Sequence, residues 1–111
     1  LCHFKLANAY GDVPLVDAIV TPQDSSYFER KSVATVMSAV IADLESAVQL
    51  LPSKSSMVFG RATSGAASAI LAKAHLRSGN YSSAENLLAG LIADGDYALE
   101  AALGFPVVPE V

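Results

Sequence analysis

An all-α fold built from antiparallel helix pairs is what this sequence predicts, on three observations. Apolar residues return at three- and four-residue steps in four separate stretches. Each stretch is bounded by capping residues, glycine or proline. The segment Gly79-Asn80-Tyr81-Ser82-Ser83-Ala84 joins two of the stretches as a tight corner. There glycine supplies the left-handed residue that ends one helix, tyrosine is placed to plug the gap between the helices, and alanine permits close approach.

In chain order, the first helix is expected over residues 1 to 10. Gly11 serves as a left-handed cap, and Pro14 prevents a restart. Asp12 is expected to bond its own turn backbone, so that Gly11-Asp12-Val13-Pro14-Leu15 forms a rigid corner. Residues 16 to 31 read as a loop anchored by Tyr27 and Phe28, and loops of this length in compact domains are commonly functional. The second helix is expected over residues 32 to 51, from the N-cap Ser32 to the stop at Pro52. Its core face is Val33, Val36, Met37, Val40, Ile41, Leu44, Ala47, Val48 and Leu51. Ser53 to Ala62 is a second loop, whose Met57, Val58 and Phe59 are expected to fold back onto the helices.

The third helix, over residues 64 to 78, is capped by Thr63 or Ser64. Alanine-rich and apolar on more than one side, it has the character of a helix packed between others. The fourth is expected over residues 82 to 94, opened by a Ser82-x-x-Glu85 capping box and ended by Gly95, with Ala84, Leu87, Leu88, Leu91 and Ile92 as its core stripe. Residues 100 to 111 are expected to be an irregular tail, because Leu103-Gly104-Phe105-Pro106-Val107-Val108-Pro109 has no helical period and too many prolines for a central strand.

The order of these residues is similar to the tetratricopeptide repeat. Leu71-Ala72-x-x-His75 occupies the place of its leucine-small-x-x-aromatic pattern, and Leu6-Ala7-x-x-Tyr10 repeats it. Ala47 and Pro52 stand where a second repeat helix ends. Leu6 and Ala47 are 41 positions apart, against about 20 in an uninterrupted repeat. The first repeat is therefore expected to be split by an insertion over residues 11 to 31.

Composition narrows the function classes. The 111 residues are 52% hydrophobic and 16% charged, which suits one helical domain and excludes a disordered chain. The net charge of −4 and the scattered Lys5, Arg30, Lys31, Lys54, Arg61, Lys73 and Arg77 argue against a nucleic-acid partner. No apolar run is expected to approach the ~18 residues of a membrane span. The start at Leu1, already inside an apolar pattern, suggests an internal segment of a larger protein. Cys2 cannot form an internal disulfide and is assigned to a small buried thiol, with a lipidated or reactive cysteine as the other reading.

Four signatures together resemble the SusD/RagB family, the surface lipoproteins with which Bacteroidetes capture glycans and other nutrients. They are Tyr10-Gly11-Asp12-Val13-Pro14-Leu15; Arg30-x-Ser32 followed by Ile41-x-Asp43-Leu44-x-x-Ala47-x-x-Leu50-Leu51-Pro52; Gly60-Arg61-Ala62-Thr63-x-x-Ala66-Ala67 followed by Leu71-Ala72-Lys73-Ala74; and Gly79-Asn80-Tyr81-x-x-Ala84 followed by Ile92-x-x-Gly95-x-Tyr97-x-Leu99. A general repeat protein has no reason to carry the Gly-Asp-Val-Pro corner or the Gly-Arg-x-Thr helix start. His75 departs from the tyrosine usual in the family, and the resemblance stops after Leu99, so residues 1 to 99 are the SusD-like helical segment.

The resemblance implies a non-catalytic, outer-membrane, surface-exposed nutrient-binding lipoprotein. Its partners would be an oligosaccharide or similar nutrient and a TonB-dependent transporter of the SusC type. It also implies that the loop-rich region building the ligand site lies outside this chain, which alone would then bind no oligosaccharide measurably. No ligand-binding residue is assigned on this ground. A free-standing tetratricopeptide-type scaffold that binds a peptide is the rival reading, and an enzyme a third.

Catalytic candidates are few, and no catalytic, metal or cofactor residue is assigned. His3 and His75 occupy packing positions of the repeat and are read as structural, with a ligand or general-base role as the alternative. Asp94 and Asp96 read as solvated turn residues rather than metal ligands. Arg61 and Asp43 form either a bidentate bridge between helices or two solvated charges. Tyr10, Tyr27, Phe28, Tyr81 and Tyr97 can in principle stack on sugar rings. Of these, Tyr10 and Tyr81 are assigned to the core, and Tyr27 and Phe28 to loop anchoring.

Overall fold

A computed structural model describes residues 1–99; the expected tail, 100 to 111, lies outside the described residues. Among the described residues four helices follow one another: α1 Cys2–Tyr10, α2 Val33–Leu50, α3 Ser64–Arg77 and α4 Tyr81–Asp94. Short 3-10 turns occupy Ser25–Phe28 and Lys54–Ser56. The only strand-like pairing among the described residues is an isolated antiparallel bridge between Val13 and Lys31. The fold is all-α, with helix boundaries within two residues of those the apolar periods predict.

Neighbours in sequence are neighbours in space, α1 on α2, α2 on α3 and α3 on α4. The ends fix the directions. Ser64 N–H donates to Pro52 O at 2.9 Å, bringing the start of α3 to the end of α2. Only Ser78 to Asn80 separate α3 from α4, a connection that forces antiparallel packing. The core joins Phe4 and Ala7 of α1, Val36, Met37, Val40 and Leu44 of α2, and Leu71 and Ala74 of α3, with Val13 from the corner. Leu87 of α4 packs against its edge. Ala67, Ala72, Ala74 and Ala84 are buried, so methyl groups line the α3 contacts and the helices approach closely.

The caps are a mixture of expected and unexpected. Ser32 Oγ accepts from Thr35 N–H at 3.3 Å, and Thr63 Oγ1 accepts from Ala66 N–H at 3.2 Å. Gly79, at φ 82°, ends α3 in a Schellman arrangement: Asn80 N–H donates to His75 O and Gly79 N–H to Leu76 O, satisfying two carbonyls of the last turn. Gly11 has φ 76° but ψ −119°, a glycine region other than the left-handed helical one expected. The Ser82–Glu85 capping box does not form, because α4 already starts at Tyr81 with Asn80 as its N-cap. The tight corner leaves no non-helical residue at Ser82 to act as a cap.

Several side chains sit elsewhere than the repeat template places them. Tyr10 and Tyr81 are 74% and 69% exposed, not packed. Side chains lean toward a helix N-terminus, so Tyr81, first in its helix, overhangs the turn. Cys2 is exposed, since it lies off the face that buries Phe4 and Ala7. Val58 and Phe59 point to solvent while Met57 is half-buried. Gly60, at φ 88°, reverses the chain there, with Arg61 N–H donating to Val58 O, and this turns both apolar side chains outward.

Helix α2, at 18 residues, is long and apolar enough to cross a membrane by length and composition, contrary to the sequence expectation. Its apolar residues form a stripe rather than a full circumference. Val36, Met37, Val40 and Leu44 are buried against α1 and α3 while Asp43 and Glu45 are exposed, which is the pattern of a core helix.

Candidate functional site

Two loop systems, at opposite ends of the helices, gather the polar side chains that the helices leave free. The first is the insertion between α1 and α2. Asp12, expected to bond its own turn, reaches further: Val33 N–H donates to its Oδ1 at 2.9 Å. The carboxylate thus satisfies a first-turn donor of α2, where negative charge also suits the helix dipole. Arg30 Nε donates to Asp12 O at 3.2 Å, and Lys31 N–H to Val13 O at 3.0 Å. Both ends of the insertion are therefore fastened to each other and to α2.

Within the insertion, Val16 N–H donates to Nε2 of His3 at 3.3 Å. His3 therefore anchors the loop instead of packing between helices. Asp24 Oδ2 accepts from both the N–H and the hydroxyl of Thr21 at 2.9 Å. These bonds, the backbone one foremost, lower the Asp24 carboxyl below the ordinary aspartate value. Tyr27 is half-buried and anchors the loop, but Phe28 is exposed. In a 3-10 turn consecutive side chains diverge by about 120°, so only one of the pair can face the body. Ile19 is almost fully exposed.

The second system lies where α2 ends, α3 begins and α4 ends. Tyr97, three residues past α4, folds back onto the start of α3, its hydroxyl 2.9 Å from Thr63 Oγ1. Its ring lies so close to Gly65 that a Cβ there would come within 2.6 Å of the ring edge. Lys54 Nζ sits 4.7 Å from the ring centroid and donates to Asp96 O at 2.6 Å. Tyr97 is thereby held at its edge, its hydroxyl and one face, and forms a wall between two clefts. On one side is an apolar groove of about 260 Å³ bounded by Gly65, Ala69, Leu88, Leu91 and Ile92; on the other is a mixed cleft of about 360 Å³ bounded by Lys54, Met57, Phe59, Arg61 and Thr63.

The remaining candidates do not converge. Arg61 and Asp43 are both exposed and make no hydrogen bond to each other among the described residues, in keeping with solvated charges. His75 is half-buried, its Nδ1 3.4 Å from Asn80 Nδ2 at the helix corner. Among the described residues no cluster of three His, Cys, Asp or Glu side chains is placed to hold a metal ion, and Asp96 contributes only its carbonyl to Lys54. Sequence reading missed Lys54 and Phe59 as members of the mixed cleft beside Tyr97, and Gly65 as the seat of its ring. The available signal was the glycine at the second position of a helix, where propensity alone disfavours it.

The match with known proteins is at the level of sequence and backbone. A family model described as SusD-like, starch-binding and associating with the outer membrane, matches residues 1–76. Among solved structures, a SusD-like carbohydrate binding protein from Bacteroides fragilis is 25% identical, with a TM-score of 0.82 over 90% of this chain and 20% of its own. A second SusD-like protein from the same organism is 29% identical, with a TM-score of 0.77 over 88% of this chain and 19% of its own. This chain spans about a fifth of the length of these relatives. No curated protein sequence matches it significantly. With the family match covering more than half of the residues, and two solved relatives sharing its helical path, the chain belongs to the SusD-like (SusD/RagB) family.

Proposed function

We propose that this chain is the helical scaffold of a non-catalytic nutrient-binding lipoprotein at the outer-membrane surface. The full-length protein captures oligosaccharides and passes them to a TonB-dependent transporter of the SusC type. The observation that carries this reading is the backbone match over 90% of the chain to a SusD-like carbohydrate binding protein. The scaffold role fits the energetics: the buried residues are spent on joining four helices, and the polar contacts of the first loop system fasten the insertion rather than pointing at a common centre.

The test is made on the full-length gene product. Oligosaccharide binding by calorimetry, without hydrolysis, together with co-purification of a TonB-dependent transporter from outer membranes, is the expected result. Cleavage of the sugar would overturn the non-catalytic reading. Capture of a peptide with no glycan affinity would instead establish the free-standing scaffold.

A further inference from the structure

The mixed cleft beside Tyr97 has a composition unlike the rest of the molecule. In a chain of net charge −4, its lining holds two cations, Lys54 and Arg61, and no acid. Lys54 uses one ammonium proton on Asp96 O, and an ammonium has three. The Arg61 side chain is exposed and makes no hydrogen bond among the described residues, leaving a planar fork of donors suited to a carboxylate. Phe59 is fully exposed, although burying an aromatic ring is ordinarily favourable. The reversal at Gly60 puts Phe59 and Arg61 on the same cleft. The opposite wall is fixed, since Tyr97 is bonded to Thr63 and pressed on Gly65.

We propose that this cleft binds one carboxylate-bearing sugar, a hexuronate unit of an anionic oligosaccharide, apart from the ligand site of the full-length protein. The carboxylate lies between Arg61 and Lys54. The apolar C–H face of the pyranose stacks on Phe59, whose ring offers a hydrophobic platform with no competing hydrogen bonds. Solvent access on one side keeps the interaction weak and salt-dependent. The sugar part rests on the glycan-binding reading above; the preference for an anion rests on the cleft alone. For carboxylated sugars it replaces the expectation, drawn from resemblance, that this chain binds no oligosaccharide.

The experiment is an amide NMR titration of the 111-residue chain with trigalacturonate, with maltotriose as the neutral control and sodium acetate as the bare carboxylate. Saturable shifts confined to residues 54–63 and 97, at about millimolar affinity, are expected for trigalacturonate only. Arg61→Gln and Phe59→Ala, both at exposed positions, should each weaken binding about tenfold while leaving the rest of the spectrum in place. No saturable shift, shifts centred elsewhere, equal shifts from maltotriose, or equal shifts from acetate would each overturn the proposal. Glycan binding by the full-length protein that survives both substitutions would leave the family function intact, so the two failures are distinguishable.

Discussion

Replacing Gly65 by alanine tests whether Tyr97 is seated on α3 as described, because the substitution sets two opposing effects against each other. Gly65 is an ordinary helical position without a positive φ, where alanine is preferred by about 0.8–1.0 kcal/mol. Against that gain, the new Cβ would overlap the Tyr97 ring at 2.6–3.0 Å and displace it. Displacement forfeits the hydroxyl bond to Thr63, worth about 1 kcal/mol. It also forfeits the approach of Lys54 to the ring, worth about 0.5–1 kcal/mol at an exposed site. The net expectation is a loss of about 0.5–1 kcal/mol for Gly65→Ala in the native background. In a Tyr97→Ala background, with the ring gone, the same change should stabilise by about 0.8–1.0 kcal/mol. A double-mutant cycle from urea midpoints followed by far-UV circular dichroism should therefore give a coupling of about 1.5–2 kcal/mol. Additive effects, or a gain in both backgrounds, would refute the placement of Tyr97.

Gly79→Val should lower stability by more than about 1 kcal/mol, read from the denaturant midpoint, since φ 82° is strained for a β-branched residue; nothing lies within 4 Å of the new Cβ, so the cost is in the backbone. Asp12→Ala should cost about 1 kcal/mol and increase amide exchange at Val33, which loses its acceptor. The lowered carboxyl of Asp24 makes the Thr21–Asp24 turn pH-dependent in a definite direction. Its folded value lies below the unfolded one, so the contribution is present above the unfolded value and disappears as pH falls through the folded value. The Thr21 amide resonance should follow that titration, and Asp24→Asn should abolish it. Finally, the exposed Leu50, Ile92 and Leu99 should drive self-association, seen as a concentration-dependent sedimentation coefficient; a strict monomer at every concentration would contradict it.

The helices were legible because their information is local. Val36, Met37, Val40 and Leu44 share a face by spacing alone, and Ser32, Thr63 and Gly79 cap ends that need no knowledge of the rest of the chain. The side chains that join distant segments were not legible. Asp12 can bond its own turn or the start of α2, and only the packing of α1 on α2 decides for Val33. Tyr97 meets Thr63 and Gly65 across more than thirty residues, a separation at which periodicity carries no signal. Tyr10 and Tyr81 differ for another reason: the repeat template assigns aromatics to gaps between helices, while these two stand at the last residue of α1 and the first of α4, where both rings are exposed. Val58 and Phe59 were misplaced because an apolar triplet was read without the chain reversal at Gly60.

The fastening at the base of the insertion bears on how much change the loop tolerates. Once Asp12, Val13, Arg30 and Lys31 hold the two ends together, most of the entropy of closing the loop is met at its neck. For a flexible segment each doubling of length adds only about 0.6 kcal/mol of closure entropy. Residues 17 to 26, between the Val16–His3 bond and the half-buried Tyr27, can therefore be lengthened, shortened or exchanged while α1 and α2 keep their register, making this stretch a natural place to graft a foreign peptide.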